Sequence, residues 1–346
     1  MSVIATRMLD IRSQSDIDKN EMRMSQYGAF DRFVQDTNNP NGIISEELIQ
    51  AAMGANGRDI QIPVIDYDSG VSILNTRNVV IGDSENTSKL YNVTFATYAF
   101  EFTVVPTAFD NNDISVQRDF RRKMNKHIKE LLATLDTTAI AALDSAKTQV
   151  APDLLGLYTF VADTVVSPLS LYDQVVGDID PMMESNDFYQ NKHLIANVGV
   201  NARIKKMGEN SVYNAKNKDG QFVGKFLSQS NRITNAANQV GTAYSVEDGS
   251  LGLLKRFERE ALARTKSRTG HEWDIVNIPE LGFEMGSYYY ESVGNFSTVY
   301  GAATADMTRA LKEHYGFAVD LAFVTPYNSD QATIASPILK IAIADS

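Results

Sequence analysis

From about residue 113 to 147 the apolar residues recur at steps of four and three: Val116, Phe120, Met124, Ile128, Leu131, Leu135 and Ala139. That period predicts one helix carrying a single apolar stripe. Asn111-Asn112-Asp113 supplies N-cap chemistry at its start. At 1.5 Å per residue the helix would be on the order of 50 Å long, about three times the mean globular helix. It reads as a spine. Its opposite face carries Arg118, Arg121, Arg122, Lys126 and Lys129, followed by Asp136 and Asp144. Three readings of that face stand side by side: a solvated helix face, a nucleic-acid patch, or a basic half that meets the acidic Asp136–Asp144 end of a neighbouring copy. The basic stretch lacks interleaved aromatics and base-reading side chains, which argues against sequence-specific recognition.

The segment before the spine has strand texture. Ile60-Gln61-Ile62-Pro63-Val64-Ile65 alternates, Val79-Val80-Ile81 follows, and a long β-branched and aromatic run extends from Tyr91 to Val105. The polar turn Gly82-Asp83-Ser84-Glu85-Asn86 lies between them, so the whole predicts an extended hairpin. A hairpin alone is marginal in water and must bury its apolar side elsewhere. Further upstream, residues 1–45 are polar, with little apolar periodicity beyond Met22, Met24, Tyr27, Phe30 and Phe33. This stretch reads as an arm laid over neighbours or as a frayed terminus. Ser45 with Glu46 and Glu47 suits the start of a short helix to Ala52.

After the spine, 151–160 reads as loop. Ser167-Pro168 predicts a helix start, with Leu171, Val175, Val176 and Ile179 following and Met182 and Met183 continuing past Pro181. His193 to Val198 reads as a buried strand, and Asn201 as the cap of a short basic helix through Met207. Helix, strand and helix at this spacing indicate an α/β layer. Residues 208–250 read as turns and short strands, Ser250–Leu254 and Trp273–Met285 as sheet, and Lys255–Arg268 as an exposed charged excursion. Thr304–His314 is expected to be a short helix ending before Tyr315-Gly316, and Phe317–Val324 and Ile338–Ile343 two closing strands.

The inventory of chemistry is thin. There is no cysteine, which removes disulfides, thiol nucleophiles and Cys-held metals. The four histidines, His127, His193, His271 and His314, show no i, i+4 metal spacing. Asp66-Tyr67-Asp68-Ser69-Gly70 starts like a calcium loop, but Arg77 stands where the bidentate Glu would be needed. No phosphate loop and no Gly-x-Ser-x-Gly is present. A carboxylate site near Asp178, Asp180 and Glu184 would be the enzymatic alternative, although these acids read more simply as a polar helix face. Neither cofactor nor metal is expected. The net charge of −11 argues against a protein that coats nucleic acid or an anionic membrane, while leaving open a container that must not glue itself to a polyanion. No secretory leader is visible and no window approaches the roughly 18 apolar residues of a membrane helix.

Polar arm, long hairpin, spine helix, α/β domain and two returning strands form an order that resembles the major capsid proteins of tailed bacteriophages, the Hong Kong-type capsid fold. The resemblance is carried by Val93–Val105 feeding Asp113 and the helix with Lys129-Glu130-Leu131-Leu132-Ala133-Thr134-Leu135-Asp136, and by Leu169–Met183 followed by His193 to Ile204. Leu281-Gly282-Phe283-Glu284-Met285 and Asp320 to Tyr327 complete it. It implies an α+β chain with an N-terminal arm (1–50), an extended E-loop hairpin (51–108), a peripheral domain (109–150 and 306–346) and an axial domain (151–305). It implies a non-enzymatic protein that self-assembles into an icosahedral shell around double-stranded phage DNA, located in the virion and assembled in the host cytoplasm. An encapsulin-like compartment, which shares the fold, is the near alternative. Partners would be copies of itself in pentamers and hexamers, a scaffolding protein, a portal and decoration proteins, with no membrane. Phe95, Tyr98, Phe100 and Phe102 would pack against adjacent spines, and Arg118, Arg121, Arg122, Lys126, Lys129, Asp136 and Asp144 are the further candidate contacts. Some members cross-link through Lys and Asn, without a positional match here. Others begin with a removable assembly domain, which the roughly fifty residues before the hairpin suggest is absent or lost.

Overall fold

The computed structural model describes residues 27–40, 42–45, 48, 49, 52, 59–66, 87–106, 116–210, 226–256, 271–278, 281–294, 310–327 and 330–345. The expected strand at Val79–Ile81, the excursion beyond Arg256 and the acidic turn after Asp66 lie outside these residues.

The spine is α2 (Val116–Ser145), a 30-residue helix preceded in the chain by α1 (Gly28–Thr37). Its predicted stripe is the buried face: Phe120, Leu135 and Ala139 are fully buried, and Met124, Ile128 and Leu131 nearly so. What lies along it is a five-stranded sheet of β3 (Ala96–Val104), β9 (Gly252–Arg256), β10 (His271–Ile278), β11 (Phe283–Gly294) and β12 (Ala310–Val324). β12 is 15 residues long and organises this sheet. One of its edges pairs with β3. The other pairs first with β11 and then, beyond Ala318, with β9. Every pairing in this sheet is antiparallel, so one face can stay polar while the other meets the helix.

The predicted helix over Thr304–His314 is therefore corrected: from Ala310 onward the chain is strand. Glu313, Tyr315, Phe317, Val319 and Leu321 are buried at a strict period of two. Gly316, which resembled a helix stop, is needed because the Tyr288 ring crosses it; a Cβ there would sit 1.9 Å from a ring carbon. Glycine within a strand often marks such a close approach.

The hairpin is present as an antiparallel ribbon of β1 (Asp59–Asp66) and β2 (Thr87–Thr94), paired from Asp59↔Thr94 to Asp66↔Thr87. The single run expected from Tyr91 to Val105 is divided at Phe95, after which the chain enters the main sheet as β3. Phe95 turns inward to join Ile44, Ala52, Ile60, Val93 and Leu254 in a small core at the ribbon's foot. Ser45 Oγ accepts the Leu48 N–H at 3.2 Å, as the short-helix reading requires.

A second sheet has the order β4 (Thr159–Phe160), β5 (Val165–Ser167), β13 (Ile338–Ala344), β8 (Gln239–Glu247), β6 (Lys192–Ala196) and β7 (Phe226–Gln229). β6 is wholly buried, as read from sequence. α3 (Tyr172–Glu184) follows a 3-10 turn at Leu169–Leu171, so it begins several residues after the Ser167-Pro168 signal, and Ser167 ends β5 instead. α4 (Val198–Asn210) is capped by Asn197, whose Oδ1 accepts the Val200 N–H at 3.1 Å, rather than by Asn201. The expected strand Trp273–Met285 is two strands, β10 and β11, paired antiparallel from Ile278↔Phe283, with Gly282 just before β11 at φ +73°. Sheet membership also crosses the boundaries expected at 150 and 305. β13 joins the α/β sheet, while β10 and β11 join β3 and β12.

α1 is the largest departure. Read as part of an arm, it is instead buried in the main core, with Phe30 and Phe33 fully covered. Phe30 packs edge-on to Phe283 and Phe33 to Phe323.

Candidate assembly surfaces

Of the aromatic residues expected to meet adjacent spines, Tyr98, Phe100 and Phe102 meet their own, and Phe95 packs in the core at the ribbon's foot. β3 lies in the sheet that α2 crosses, and period two puts Tyr98, Phe100 and Phe102 on the helix side. Phe102 is 6% exposed, stacked near Tyr315 at 5.5 Å and tilted against Phe120 of α2 at 5.3 Å. Phe100 is half-buried between Phe317 at 4.9 Å and His127 at 5.6 Å. The Tyr98 hydroxyl donates to Thr138 Oγ1 on α2 at 3.3 Å. Phe95 is buried with the Arg256 guanidinium 5.0 Å above its ring. Arg256, read as part of the exposed excursion Lys255–Arg268, is itself buried and pairs with Asp320 at 3.3 Å.

The charged face of the spine separates into two parts. Arg118, Arg122 and Lys129 are exposed, the Lys126 side chain is 71% exposed, and Arg121 is half-buried. Asp136 and Asp144, their expected counterparts on a neighbour, are committed within the chain. The Asp144 carboxylate accepts from Lys340 at 2.7 Å, from the Tyr244 hydroxyl at 2.9 Å and from Lys147 at 3.3 Å. Burial pushes its pKa up, but these partners outweigh it and hold the group below the usual carboxylate value.

Asp136 is fully buried at the middle of the stripe. Its Oδ1 accepts the N–H groups of Ala29 and Phe30, both at 3.1 Å, and its Oδ2 accepts the Ser230 hydroxyl. Those N–H groups belong to the first turn of α1, where Tyr27 supplies no side-chain cap. The cap thus comes from more than a hundred residues away. A carboxylate at a helix N-terminus satisfies orphan donors and complements the helix dipole. Burial raises the Asp136 pKa, opposed by the hydrogen bonds from Ser230, Phe30 and Ala29.

The other end of α1 is tied by a second buried cluster. Arg32 pairs with Asp36 and with Asp248, and its Nη1 donates to His193 Nδ1 at 3.2 Å. Asp36 Oδ2 also accepts the Leu251 N–H at 3.2 Å, and the Leu253 N–H donates to Thr37 Oγ1 at 2.7 Å. Arginine has only donors, so His193 Nδ1 is the acceptor and its proton sits on Nε2, donated to Ser228 Oγ at 2.7 Å. The imidazole therefore cannot serve Ser228 as a base, and the Ser–His pair is structural. Burial, aided by Arg32, lowers the His193 pKa to about 4, while burial raises that of Asp36 to about 6 against the pull of Arg32. The two shifts oppose one another in pH. Folded Asp36 holds an extra proton between roughly pH 4 and 6, so its contribution to stability falls as pH rises there. Folded His193 holds fewer protons than the unfolded chain between roughly pH 4 and 6.5, so its contribution rises.

The other titratable candidates do not converge. His127 stacks on Phe100 and Phe102, and His314 stacks on Tyr290 at 4.3 Å. Asp178 accepts the Tyr158 hydroxyl at 2.6 Å, and Glu184 pairs with Lys192 at 3.5 Å. Asp178 and Asp180 are two positions apart on α3, about 200° around the helix, so they do not face one site. Among the described residues no group of three or more His, Asp and Glu could hold a metal, and no helix is long and apolar enough to cross a membrane. A cavity of about 300 Å³ lies at the foot of the ribbon, lined by Tyr91, Lys147, Tyr327 and Gln331 among others. Another of about 260 Å³ lies between α1 and β9.

No family model matches this chain, and no curated protein matches it. Among solved structures it is similar to the capsid of cyanophage A-1(L), with 10% identity, a TM-score of 0.52, and coverage of 96% of this chain and 97% of that one. It is also similar to a structure from Mycobacterium phage Adephagia, with 12% identity, TM-score 0.47 and coverage of 86% and 90%. A third is the capsid of cyanophage P-SCSP1u, with 9% identity, TM-score 0.46 and coverage of 85% and 86%. The A-1(L) likeness identifies the α+β fold as a phage capsid fold, in agreement with the element order.

Proposed function

We propose that this chain is a major capsid protein whose copies assemble into an icosahedral shell around double-stranded phage DNA. The observation that carries the reading is a fold shared over nearly the full length of this chain and of the matched A-1(L) capsid chain. That likeness favours a phage shell over an encapsulin-like compartment. The architecture supports it physically. A ribbon two strands wide is marginal in water, and Leu90 on this one is 60% exposed. Neighbouring copies would supply the cover. Heterologous contacts between identical subunits close into rings, and each can be modest when every subunit makes many.

On this reading the chain works as a structural element rather than as an enzyme. The spine and its five-stranded sheet form the peripheral part, and the six-stranded sheet the axial part. Arg118, Arg122, Lys126 and Lys129 remain as surface contacts, while Phe95, Phe102 and Asp136 serve the subunit's own interior. Scaffolding, portal and decoration proteins are the further partners, and assembly takes place in the host cytoplasm. Electron microscopy of the purified product at physiological salt, with and without scaffolding protein, tests the proposal. Capsomers, tubes or shells are expected. Subunits that stay monomeric under every condition would overturn it.

A further inference from the structure

Four cations stand in a row on the exposed side of the spine. Arg118, Arg122, Lys126 and Lys129 fall within about 80° of arc and about 17 Å of helix axis at 100° and 1.5 Å per residue. The row lies roughly opposite the buried Phe120, Met124 and Leu135. Glu130 approaches Lys126 only to 3.9 Å, in a pair exposed on both sides. Such exposed pairs are worth little and do not cancel a charge.

The Asp136–Asp144 end of a neighbour's spine cannot supply the opposite charge, because Asp136 is buried and Asp144 is tied to Lys340, Lys147 and Tyr244. We propose that this row binds the sugar–phosphate backbone of duplex DNA, so that the spine's exposed face turns toward the packaged nucleic acid. The inference rests on the capsid reading and adds to it the surface that meets the cargo. Duplex is favoured over single strand because no aromatic lies within the arc on which a base could stack; Asn125 and Asp119 flank it about 20° to either side, and Asp119 is paired with Lys123 at 2.7 Å. A duplex presents a charge every ~1.7 Å of axis, so each cation can meet its own phosphate. The chain's net charge of −11 does not forbid this. Acids farther than a Debye length of about 8 Å are largely screened at physiological salt. The contact is consequently weak, sequence-independent and steeply salt-dependent, as cargo that must later leave the shell requires.

Fluorescence anisotropy of a labelled duplex of about 30 base pairs, titrated with unassembled subunits, reads the contact directly. Four phosphate contacts give a slope of about −3.6 in log K against log salt, hence an affinity loss of roughly 150-fold between about 50 and 200 mM. Arg118→Gln/Arg122→Gln/Lys126→Gln/Lys129→Gln should bring the slope near zero, and Arg118→Gln/Arg122→Gln should leave about half of it. Circular dichroism checks folding, and the double variant decides should the quadruple one not fold. A wild-type slope shallower than about −1, or a quadruple variant that keeps it, would overturn the proposal. So would poly-glutamate competing as well as duplex at equal charge, which would assign the row to an acidic protein segment. Electron microscopy of the same samples separates the two readings. Shells without a salt slope refute this contact alone, whereas a slope in subunits that never assemble refutes the shell and leaves the contact standing.

Discussion

Replacing Asp136 tests whether one side chain of the spine holds α1 in the core. In Asp136→Ala the Ala29 and Phe30 N–H groups and the Ser230 hydroxyl lose their acceptor in a site closed to water. Each stranded buried donor costs about 1–3 kcal/mol, although the hydroxyl can rotate toward another acceptor. Loss of the carboxylate at the helix N-terminus adds up to about 2 kcal/mol. Against this, removing a buried charge relieves its desolvation, the same effect that raises the Asp136 pKa. The net expectation is a loss of about 3–5 kcal/mol, in the range for breaking a buried charged contact from one side. Asp136→Asn keeps Oδ1 for the two backbone donors and can donate its amide to Ser230, so about 1 kcal/mol or less is expected. Urea unfolding of unassembled subunits, followed by the fluorescence of the sole tryptophan, Trp273, measures both. Equal losses for Ala and Asn would show that charge, not the cap, matters. A loss below about 1 kcal/mol for Ala would refute the capping argument itself.

Three further outcomes are expected. Because Asp36 and His193 shift in opposite senses, each by on the order of 3 kcal/mol at most, wild-type stability should be nearly flat from this cluster between about pH 4 and 6. In His193→Gln the Asp36 contribution is unmasked and urea midpoints should fall as pH rises through that window; a midpoint that rises would refute the assignment. Phe102→Ala should cost about 3–5 kcal/mol in the unassembled subunit, since its ring lies in its own chain's core; an effect seen only on assembly would return Phe102 to an interface. Gly316→Ala should cost about 1–3 kcal/mol through overpacking against Tyr288 and shift the emission of Trp273, which lies 5.3 Å from that ring; unchanged stability and emission would show that Tyr288 moves aside freely.

What could be read from the chain followed the strength of its periodicity. The spine carries seven apolar positions in register, too many for another pattern to fit, and the apolar run Leu194-Ile195-Ala196 of β6 is as plain. β12 was obscured because Gly316 looked like a helix stop, although Leu311, Glu313, Tyr315, Phe317 and Val319 alternate across it; a partner strand's ring demanded that glycine, and local sequence does not show a partner. α1 offers only Tyr27, Phe30, Phe33 and Val34 among polar residues, and Arg32 and Asp36 made it look solvated. Both charges are buried because they neutralise one another with Asp248. The i, i+4 spacing of Arg32 and Asp36 beside the aromatic triplet was the available signal. Asp136 illustrates the reverse error: a charge in a long helix is usually solvated, and only the incoming first turn of α1 gives it a reason to be buried.

The position of α1 also bears on how such a subunit can deform. At its N-terminal end it is held by the spine through Asp136, and along its length by Phe283 and Phe323 of the five-stranded sheet. At its C-terminal end Arg32 reaches His193 of β6 and Asp248 just after β8, both on the six-stranded side, while Asp36 and Thr37 hold the backbone entering β9. One ten-residue helix therefore contacts the spine and both sheets. A rotation of the six-stranded sheet against the spine stretches the Asp144 bonds to Lys340 of β13 and Tyr244 of β8 directly and, through α1, the Arg32 cluster or the Asp136 cap. The cluster is the weaker of the two, because Asp248 is partly exposed and water can replace Arg32 there, whereas nothing replaces Asp136 in its closed site. A shell that adjusts the angle between its subunits' two halves would thus strain both the Asp248 contact and the partly exposed Asp144 bonds to Lys340 and Tyr244, with α1 travelling with the spine.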